Sequence, residues 1–179
     1  MKSAYEVDFL KSLGVSIPDL GCVMLDLEAT TAPTEVLSPE WLYRSKDSRY
    51  WWISGAQEEF HVTLLYGLLE KAYKWEGGIR EVLEGWEEPV NISVKSIGSF
   101  PSNLPGEEYS CIIAHLESPS LLDAHQRLSL LPHINTHPEY KPHATIAYVH
   151  ADRRDDAIEA LSRFEDISFY PKRLNLGER

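Results

Sequence analysis

Short apolar runs alternate along this chain with stretches in which apolar residues recur at helical spacing. The runs are rich in Val, Ile and Leu and are bounded by turn residues, as is typical of strands. They predict strands at residues 21–27, 60–67, 90–100, 109–117, 143–149 and 166–174. The stretches with helical spacing predict helices at residues 3–13, 68–86, 120–131 and 152–163. This order predicts an α+β fold with a two-lobed sheet, in a single domain spanning residues 1–179.

Two of the predicted helices have local features that the sequence specifies. Gly77 and Gly78 interrupt the second helical stretch, so we expect one kinked helix or two consecutive pieces there. Asp152 is expected to cap the last helix.

Residues 28–58 are the least regular part of the chain. Pro33 and Pro39 break the segment, and only a brief helix at 38–42 is predicted within it. Long irregular segments of compact domains are commonly lids or binding loops. Three consecutive aromatic residues follow three basic ones here, in the order Arg44, Lys46, Arg49, Tyr50, Trp51 and Trp52. Cations and flat rings together suit nucleotide binding, although the tryptophans would equally suit plugs in a hydrophobic core.

One pattern occurs twice. Residues 61–66 read HVTLLY and residues 143–148 read HATIAY, so both copies follow His-x-Thr-apolar-apolar-Tyr. Alternate side chains of a strand share a face, which places His61 with Thr63 and His143 with Thr145. By the same alternation, Tyr66 and Tyr148 are expected on the opposite face, behind the sheet.

The duplicated pattern supplies the groups that phosphodiester chemistry needs. If the two strands lie side by side, His61 and His143 can serve as acid and base, and the hydroxyls of Thr63 and Thr145 can donate to phosphate oxygens. A single strand histidine is more often a satisfied core residue. Duplication of the whole pattern favours a paired active site over that alternative.

At these residues the chain resembles the two-histidine (2H) phosphoesterase superfamily, and the resemblance spans about residues 20 to 176. It implies two pseudo-symmetric lobes whose antiparallel sheets meet at a central cleft carrying both motifs, with helices outside. It also implies that the histidines and threonines act without a metal. Residues 140–148 further resemble the versions carried by tailed phages, including the anti-CBASS nucleases that degrade cyclic di- and trinucleotide immune signals.

The composition and charge limit the kinds of ligand that the protein is expected to bind. The net charge is −11 and 43% of the residues are hydrophobic, which predicts a folded protein that repels a long polyanion. A small nucleotide in a pocket is therefore expected, rather than long RNA or DNA. Cys22 and Cys111 lie in apolar runs and are interpreted as small buried hydrophobes. With no signal-peptide pattern and no membrane-length apolar run, the expected location is the cytoplasm, that of a bacterial host if the chain is phage-encoded.

The remaining candidates surround the second motif. Lys141 shares strand parity with His143 and is expected to reach the cleft, unless it is a solvated strand-end residue. His125 is interpreted as a helix-face residue without a catalytic role. His133 and His137 lack partners at zinc-ligand spacing, so neither a metal nor any other cofactor is expected.

Three functions remain in competition. The first is a phosphodiesterase that hydrolyses cyclic di- or trinucleotides. The second is a 2′,3′-cyclic phosphodiesterase acting on RNA ends, like the bacterial LigT group. The third is a protein that sequesters a cyclic nucleotide without cleaving it, although capture alone needs no acid–base pair.

Overall fold

The computed structural model describes residues 20–102, 104, 106–135, 139–163 and 167–177. The helix predicted at 3–13 and the loop residue His137 lie outside these residues.

Within the part of the chain that the structure describes, six strands form one sheet in which every neighbouring pair is antiparallel. The strands are β1 (Gly21–Ala29), β2 (Phe60–Leu68), β3 (Ile92–Pro101), β4 (Tyr109–Glu117), β5 (His143–His150) and β6 (Ser168–Asn175). Their order across the sheet is β2-β1-β6-β3-β4-β5. All six predicted strands are therefore present, with ends that differ by a few residues.

The sheet consists of two similar halves, β2-β1-β6 and β5-β4-β3. They are joined at the centre by a short ladder in which Ile92 pairs with Phe169 and Ser93 pairs with Ser168. In each half the middle strand pairs with a motif strand on its outer side. The predicted α+β fold with two antiparallel lobes is confirmed, and the two lobes form one continuous sheet.

Among the described residues, three α-helices accompany the sheet: α1 (Glu76–Val82), α2 (Pro119–Leu128) and α3 (Arg154–Ser162). The second helical stretch is split as expected, but a 3-10 turn at Ala72–Trp75 precedes α1, and both glycines lie within α1. Asp152 does not cap the last helix, because it lies inside a separate 3-10 turn at Ala151–Arg153. No helix among the described residues is long and apolar enough to span a bilayer.

The hydrophobic core lies between the helices and one face of the sheet. Strand residues such as Val23, Leu25 and Val62 pack there with Leu121 of α2 and Leu161 of α3. Alternate residues of the same strands point to the opposite face, which we call the open face. On β1 the core positions are fully buried, whereas Cys22, Met24 and Asp26 on the open face are only partly buried.

The loops before the two motif strands cross between the halves. Residues 55–57 pair with β5, through hydrogen bonds between Gly55 and Tyr148 and between Gln57 and Ile146. Residues 132–134 pair with β2, where the Ile134 N–H donates to the Gly67 carbonyl at 2.8 Å. Gly67 has φ +102°, and a Cβ there would lie 2.2 Å from the Ile134 carbonyl oxygen, so this crossing requires glycine. β2 and β5 are the two outermost strands in the sheet order, yet they contact each other. The two crossings help to hold them together.

Candidate active site

Each motif strand contains a β-bulge directly after its threonine. On β2 the bulge falls at Leu64, because Thr63 pairs with Met24 and Leu65 pairs with Val23. On β5 it falls at Ile146, because Thr145 pairs with Ile113 and Ala147 pairs with Ile112. An extra residue in one strand reverses the facing of every side chain beyond it.

The bulges overturn the predicted position of the two tyrosines. Tyr66 pairs with Cys22 and Tyr148 pairs with Cys111, so both tyrosines lie on the open face with the motif residues. Simple alternation assigned them to the opposite face, because it assumed unbroken strands. Burial raises the pKa of both phenols, with a smaller contribution from the neighbouring cysteine, so both stay protonated at neutral pH.

The two motif histidines also lie on the open face, one from each half. His61 pairs with Asp26 across the ladder, and His143 pairs with His115. Their rings are close enough for the charge of His143 to lower the pKa of His61. The structure thus brings together the two residues that the sequence singled out as acid and base.

A cysteine stands beside each motif threonine. The Cys22 thiol donates to Thr63 Oγ1 at 4.0 Å, and Cys111 Sγ lies 3.7 Å from Thr145 Oγ1. Burial raises the pKa of Cys22 to about 11 and also raises that of Cys111, so both remain thiols. The sequence indicated small buried hydrophobes; in the structure both cysteines are partly buried neighbours of the threonine hydroxyls.

A polar cluster adjoins His61. The Asp26 carboxylate accepts hydrogen bonds from Arg173 Nε at 2.7 Å and from Asn175 Nδ2 at 2.9 Å. Burial, the largest single effect, would raise the pKa of Asp26, but these two hydrogen bonds together with the charges of Arg173 and His61 hold the pKa below its ordinary value. For His61 itself, burial lowers the pKa, the Asp26 charge opposes that effect, and the His143 charge adds to it.

The surroundings of His143 differ. Its Nδ1 lies 2.8 Å from the Lys141 carbonyl oxygen, which fixes Nδ1 as the donor and leaves Nε2 for the open face. The Phe100 ring meets the imidazole edge-on at 5.1 Å between centroids. His115 is the neighbour of His143 across the ladder. Its ring fits only because position 98 has no Cβ: a Cβ there would lie 2.8 Å from His115 Nε2. Glycine at position 98 therefore makes room for a third histidine.

An aromatic cavity of about 440 Å³ opens beside His143. Its lining includes Thr63, Tyr66, Phe100, Tyr140, Lys141 and His143. Tyr140 donates a hydrogen bond to the Thr63 carbonyl at 3.0 Å and stacks on His125 at 4.0 Å between ring centroids. His125 Nδ1 lies 2.7 Å from the carbonyl oxygen of the bulge residue Leu64. His125, expected only as a helix-face residue, thus braces the β2 bulge and one wall of this cavity.

A polar cleft of about 970 Å³ opens beside His61. Its lining includes Asp26, Glu28, Arg44, Gln57, His61 and Arg173. The two cavities therefore differ in chemistry: aromatic side chains adjoin His143, whereas charged and amide side chains adjoin His61.

Of the four predicted substrate-binding residues, one lines a cavity beside the histidines and three do not. Lys141 lines the aromatic cavity, where its ammonium pairs with Glu139 at 3.0 Å. Tyr50, Trp51 and Trp52 line neither cavity. They form a cluster of edge-on ring contacts near the tip of a turn closed by the Arg44–Ser54 bridge. Trp51 is 74% exposed and Trp52 is 46% exposed, so they are not core plugs, and their role in binding remains a prediction.

Within the described part of the chain, no group of three His, Cys, Asp or Glu side chains has metal-binding geometry. The charged residues of the open face instead contact one another, as Asp26 and Arg173 do.

Sequence reasoning did not identify Asp26, His115, Phe100 or Tyr140 as part of this site. Asp26 had a signal, because it is the one charged residue in the otherwise apolar run 21–27. Tyr66 and Tyr148 could also have been identified from the sequence, because each stands at the same distance from the histidine of its motif.

Comparisons with known proteins identify a matching family and a shared fold. The model of the 2′-5′ RNA ligase superfamily matches residues 53–179, a range that includes both motifs but not β1. Usb1 from Kluyveromyces marxianus shares the fold with a TM-score of 0.54 at 14% identity, covering 89% of this chain and 95% of Usb1. The same protein solved with uridine monophosphate gives a TM-score of 0.50 at 13% identity, covering 80% and 82%. None of the curated protein sequences matches significantly.

Proposed function

The chain belongs to the 2′-5′ RNA ligase superfamily, and from its site we propose that it is a phosphodiesterase that cleaves a small nucleotide substrate without a metal ion. One observation carries the proposal. Two half-sites with the same strand register each present a histidine and a threonine on the open face, and the two histidines interact electrostatically.

The four motif side chains account for the chemistry. One histidine accepts the proton of the attacking hydroxyl as its oxygen forms the new P–O bond. The other histidine gives a proton to the leaving oxygen as the old P–O bond breaks. The hydroxyls of Thr63 and Thr145 donate to the non-bridging oxygens, where negative charge increases in the transition state. The two histidines end with exchanged protonation states, which solvent restores.

The substrate class follows from the cavities and the charge. A cavity of about 440 Å³ with aromatic walls has the size and lining of a small-molecule site and suits a nucleoside. The net charge of −11 disfavours a long polyanion. The Usb1 structure with uridine monophosphate shows that a related fold binds a mononucleotide, which supports a short nucleotide or an RNA end as the substrate.

A cyclic di- or trinucleotide is the second candidate. It rests on the compact cavities and acidic surface, and on the resemblance of residues 140–148 to phage anti-CBASS nucleases. The comparisons point towards RNA-end chemistry instead, through the family match. Sequestration without cleavage is the least favoured function, because binding alone would not need both histidines and both threonines.

A substrate panel separates these functions. The protein is incubated in EDTA with a short oligoribonucleotide, a 2′,3′-cyclic mononucleotide, cyclic dinucleotides and cyclic trinucleotides, and the products are resolved by chromatography. We expect cleavage of the oligoribonucleotide or of the 2′,3′-cyclic nucleotide. Cleavage of the cyclic oligonucleotides alone would establish the second candidate.

Two controls make the panel decisive. The double variant His61→Ala/His143→Ala should be inactive on every substrate, which excludes a contaminating nuclease. Tight binding of a cyclic nucleotide by the wild type, without any product, would support sequestration and contradict the proposed enzyme.

A further inference from the structure

His133 is a cavity residue that the proposed chemistry does not use. Among the described residues, three histidines line the aromatic cavity: His125, His133 and His143. His143 belongs to the second motif, whereas His125 stacks on Tyr140 and contacts the β2 bulge. His133 belongs to neither arrangement, which leaves its ring available for the ligand itself.

The backbone of His133 is fixed on the first motif strand. His133 forms a β-bridge with Leu68 of β2. The residues on either side of it are hydrogen-bonded to the end of the same strand, through the Pro132 carbonyl at 3.1 Å and the Ile134 N–H at 2.8 Å. Tyr66, an aromatic wall residue of the cavity, lies two positions before Leu68. The strand that carries this wall therefore also sets the position of His133.

The ring of His133 is oriented by its own turn. Nδ1 lies 2.8 Å from the Leu131 carbonyl oxygen, and because a carbonyl can only accept, Nδ1 is the donor. In the neutral imidazole the other nitrogen, Nε2, then carries a lone pair and acts as an acceptor. The described residues provide no hydrogen-bond partner for Nε2. His133 thus offers the cavity an acceptor whose position is fixed by both backbone and ring.

Several neighbouring polar groups are already engaged within the protein. Tyr140 donates its hydroxyl to the Thr63 carbonyl at 3.0 Å, and the Lys141 ammonium pairs with Glu139 at 3.0 Å. His125 directs its Nδ1 to a backbone carbonyl at 2.7 Å. Stacking on the aromatic walls discriminates little between bases, because every base has a π-face. A fixed acceptor does discriminate, because bases differ in the donors on their edges.

We propose that His133 selects the base held in the aromatic cavity, by accepting a hydrogen bond from the exocyclic amino group of cytosine or adenine. This inference rests on the proposed function, which places a nucleoside in that cavity. Uracil and hypoxanthine carry a carbonyl oxygen where cytosine and adenine carry the amino group. That oxygen meets the Nε2 lone pair without a proton between them, so the site disfavours both bases. The recognised nucleoside of the substrate is therefore cytidine or adenosine.

Two matched pairs of nucleotides test this selection. Cytidine and uridine 3′-monophosphate differ in the amino or carbonyl group of the pyrimidine, and adenosine and inosine 3′-monophosphate differ in the same way in the purine. Their affinities are measured by isothermal titration calorimetry at pH 8, where imidazoles are neutral. The wild type should bind the amino-bearing member of each pair about 3- to 10-fold more tightly, which is the range expected for one net hydrogen bond.

Two variants of His133 remove the fixed acceptor. His133→Phe keeps a flat ring, and the ratio of affinities within each pair should fall to about one. Some stability is lost with the hydrogen bond to Leu131, but a smaller folded fraction lowers the number of sites and not the ratio. In His133→Gln the amide can rotate to present either a donor or an acceptor, so its ratio should also approach one.

His150→Phe is the matched control. His150 is an exposed histidine at the end of β5, its ring meets Tyr43 edge-on, and it lines neither cavity. This variant should keep the wild-type ratio for both pairs.

Each other outcome overturns a defined statement. Equal affinities within a pair, or tighter binding of the uridine and inosine nucleotides, would overturn selection by His133. A preference that persists in both His133 variants would assign the selection to another residue. Failure to bind any of the four nucleotides would overturn the placement of a nucleoside in the cavity. Cleavage in the substrate panel without a base preference refutes only the role of His133, whereas a base preference without any cleavage refutes the proposed enzyme and supports the selection.

Discussion

Replacing Thr63 by valine removes one hydroxyl from the open face and retains the shape of the side chain. Thr63 is partly buried on β2, where its hydroxyl accepts from the Cys22 thiol at 4.0 Å and adjoins the aromatic cavity. If that hydroxyl donates to a phosphate oxygen in the transition state, its removal should lower kcat by about 10²–10³, or about 2.7–4 kcal/mol. The KM should change little, because the interaction strengthens only as charge develops.

Steady-state kinetics and thermal melts on the same samples check this prediction. Thr30→Val is the matched control: its hydroxyl makes an exposed hydrogen bond to the Ser168 carbonyl at 3.2 Å, and the residue itself is part of neither cavity's lining. The control should lose about 0.5–1.5 kcal/mol of stability at most and retain its turnover. A Thr63→Val protein with wild-type kcat, or one that loses activity only in proportion to its folded fraction, would refute a role for the hydroxyl in the transition state.

Three further outcomes are expected. Cys22 and Cys111 should resist alkylation at pH 8 in the folded protein and react at the normal rate after denaturation, because burial holds both pKa values high. Phe100→Leu should raise KM more than it lowers kcat, if the exposed ring stacks on a base, and a rise in kcat/KM would contradict that role. Asp26→Asn should lower the melting temperature at pH 7. That difference should shrink as the pH falls below about 4 and be lost only as the pH passes through the lowered folded-state pKa, since a carboxyl with a depressed folded-state pKa stabilises only while ionised.

The sequence predicted the strands well because each one is an apolar run with turn residues at its ends. It also identified the two histidines and two threonines, since a strand pattern that occurs twice is informative without any structure. The two-lobed sheet was predicted from the order of the elements, and the resemblance to a known family implied the same arrangement. What the pattern could not reveal was the crossing of residues 55–57 and 132–134 between the halves, which depends on long-range backbone pairing.

The position of Tyr66 and Tyr148 illustrates a further limit. Strict alternation assigns a face only while the strand is regular, and one bulge reverses the assignment. The bulges at Leu64 and Ile146 are set by cross-strand pairing, which a single strand does not encode. Likewise, Asp26 and His115 became visible as site residues only once the register placed each beside a motif histidine.

The central claim is that two histidines cleave a phosphodiester without a metal ion, and the most direct test is single-turnover kinetics in EDTA. The best substrate of the panel is mixed with excess wild-type protein, His61→Ala or His143→Ala. The account predicts full wild-type activity in the chelator and rates lower by ~10²–10⁴ for each histidine variant. Wild-type activity that disappears in EDTA and returns with a divalent ion, or variants that retain the wild-type rate, would contradict it.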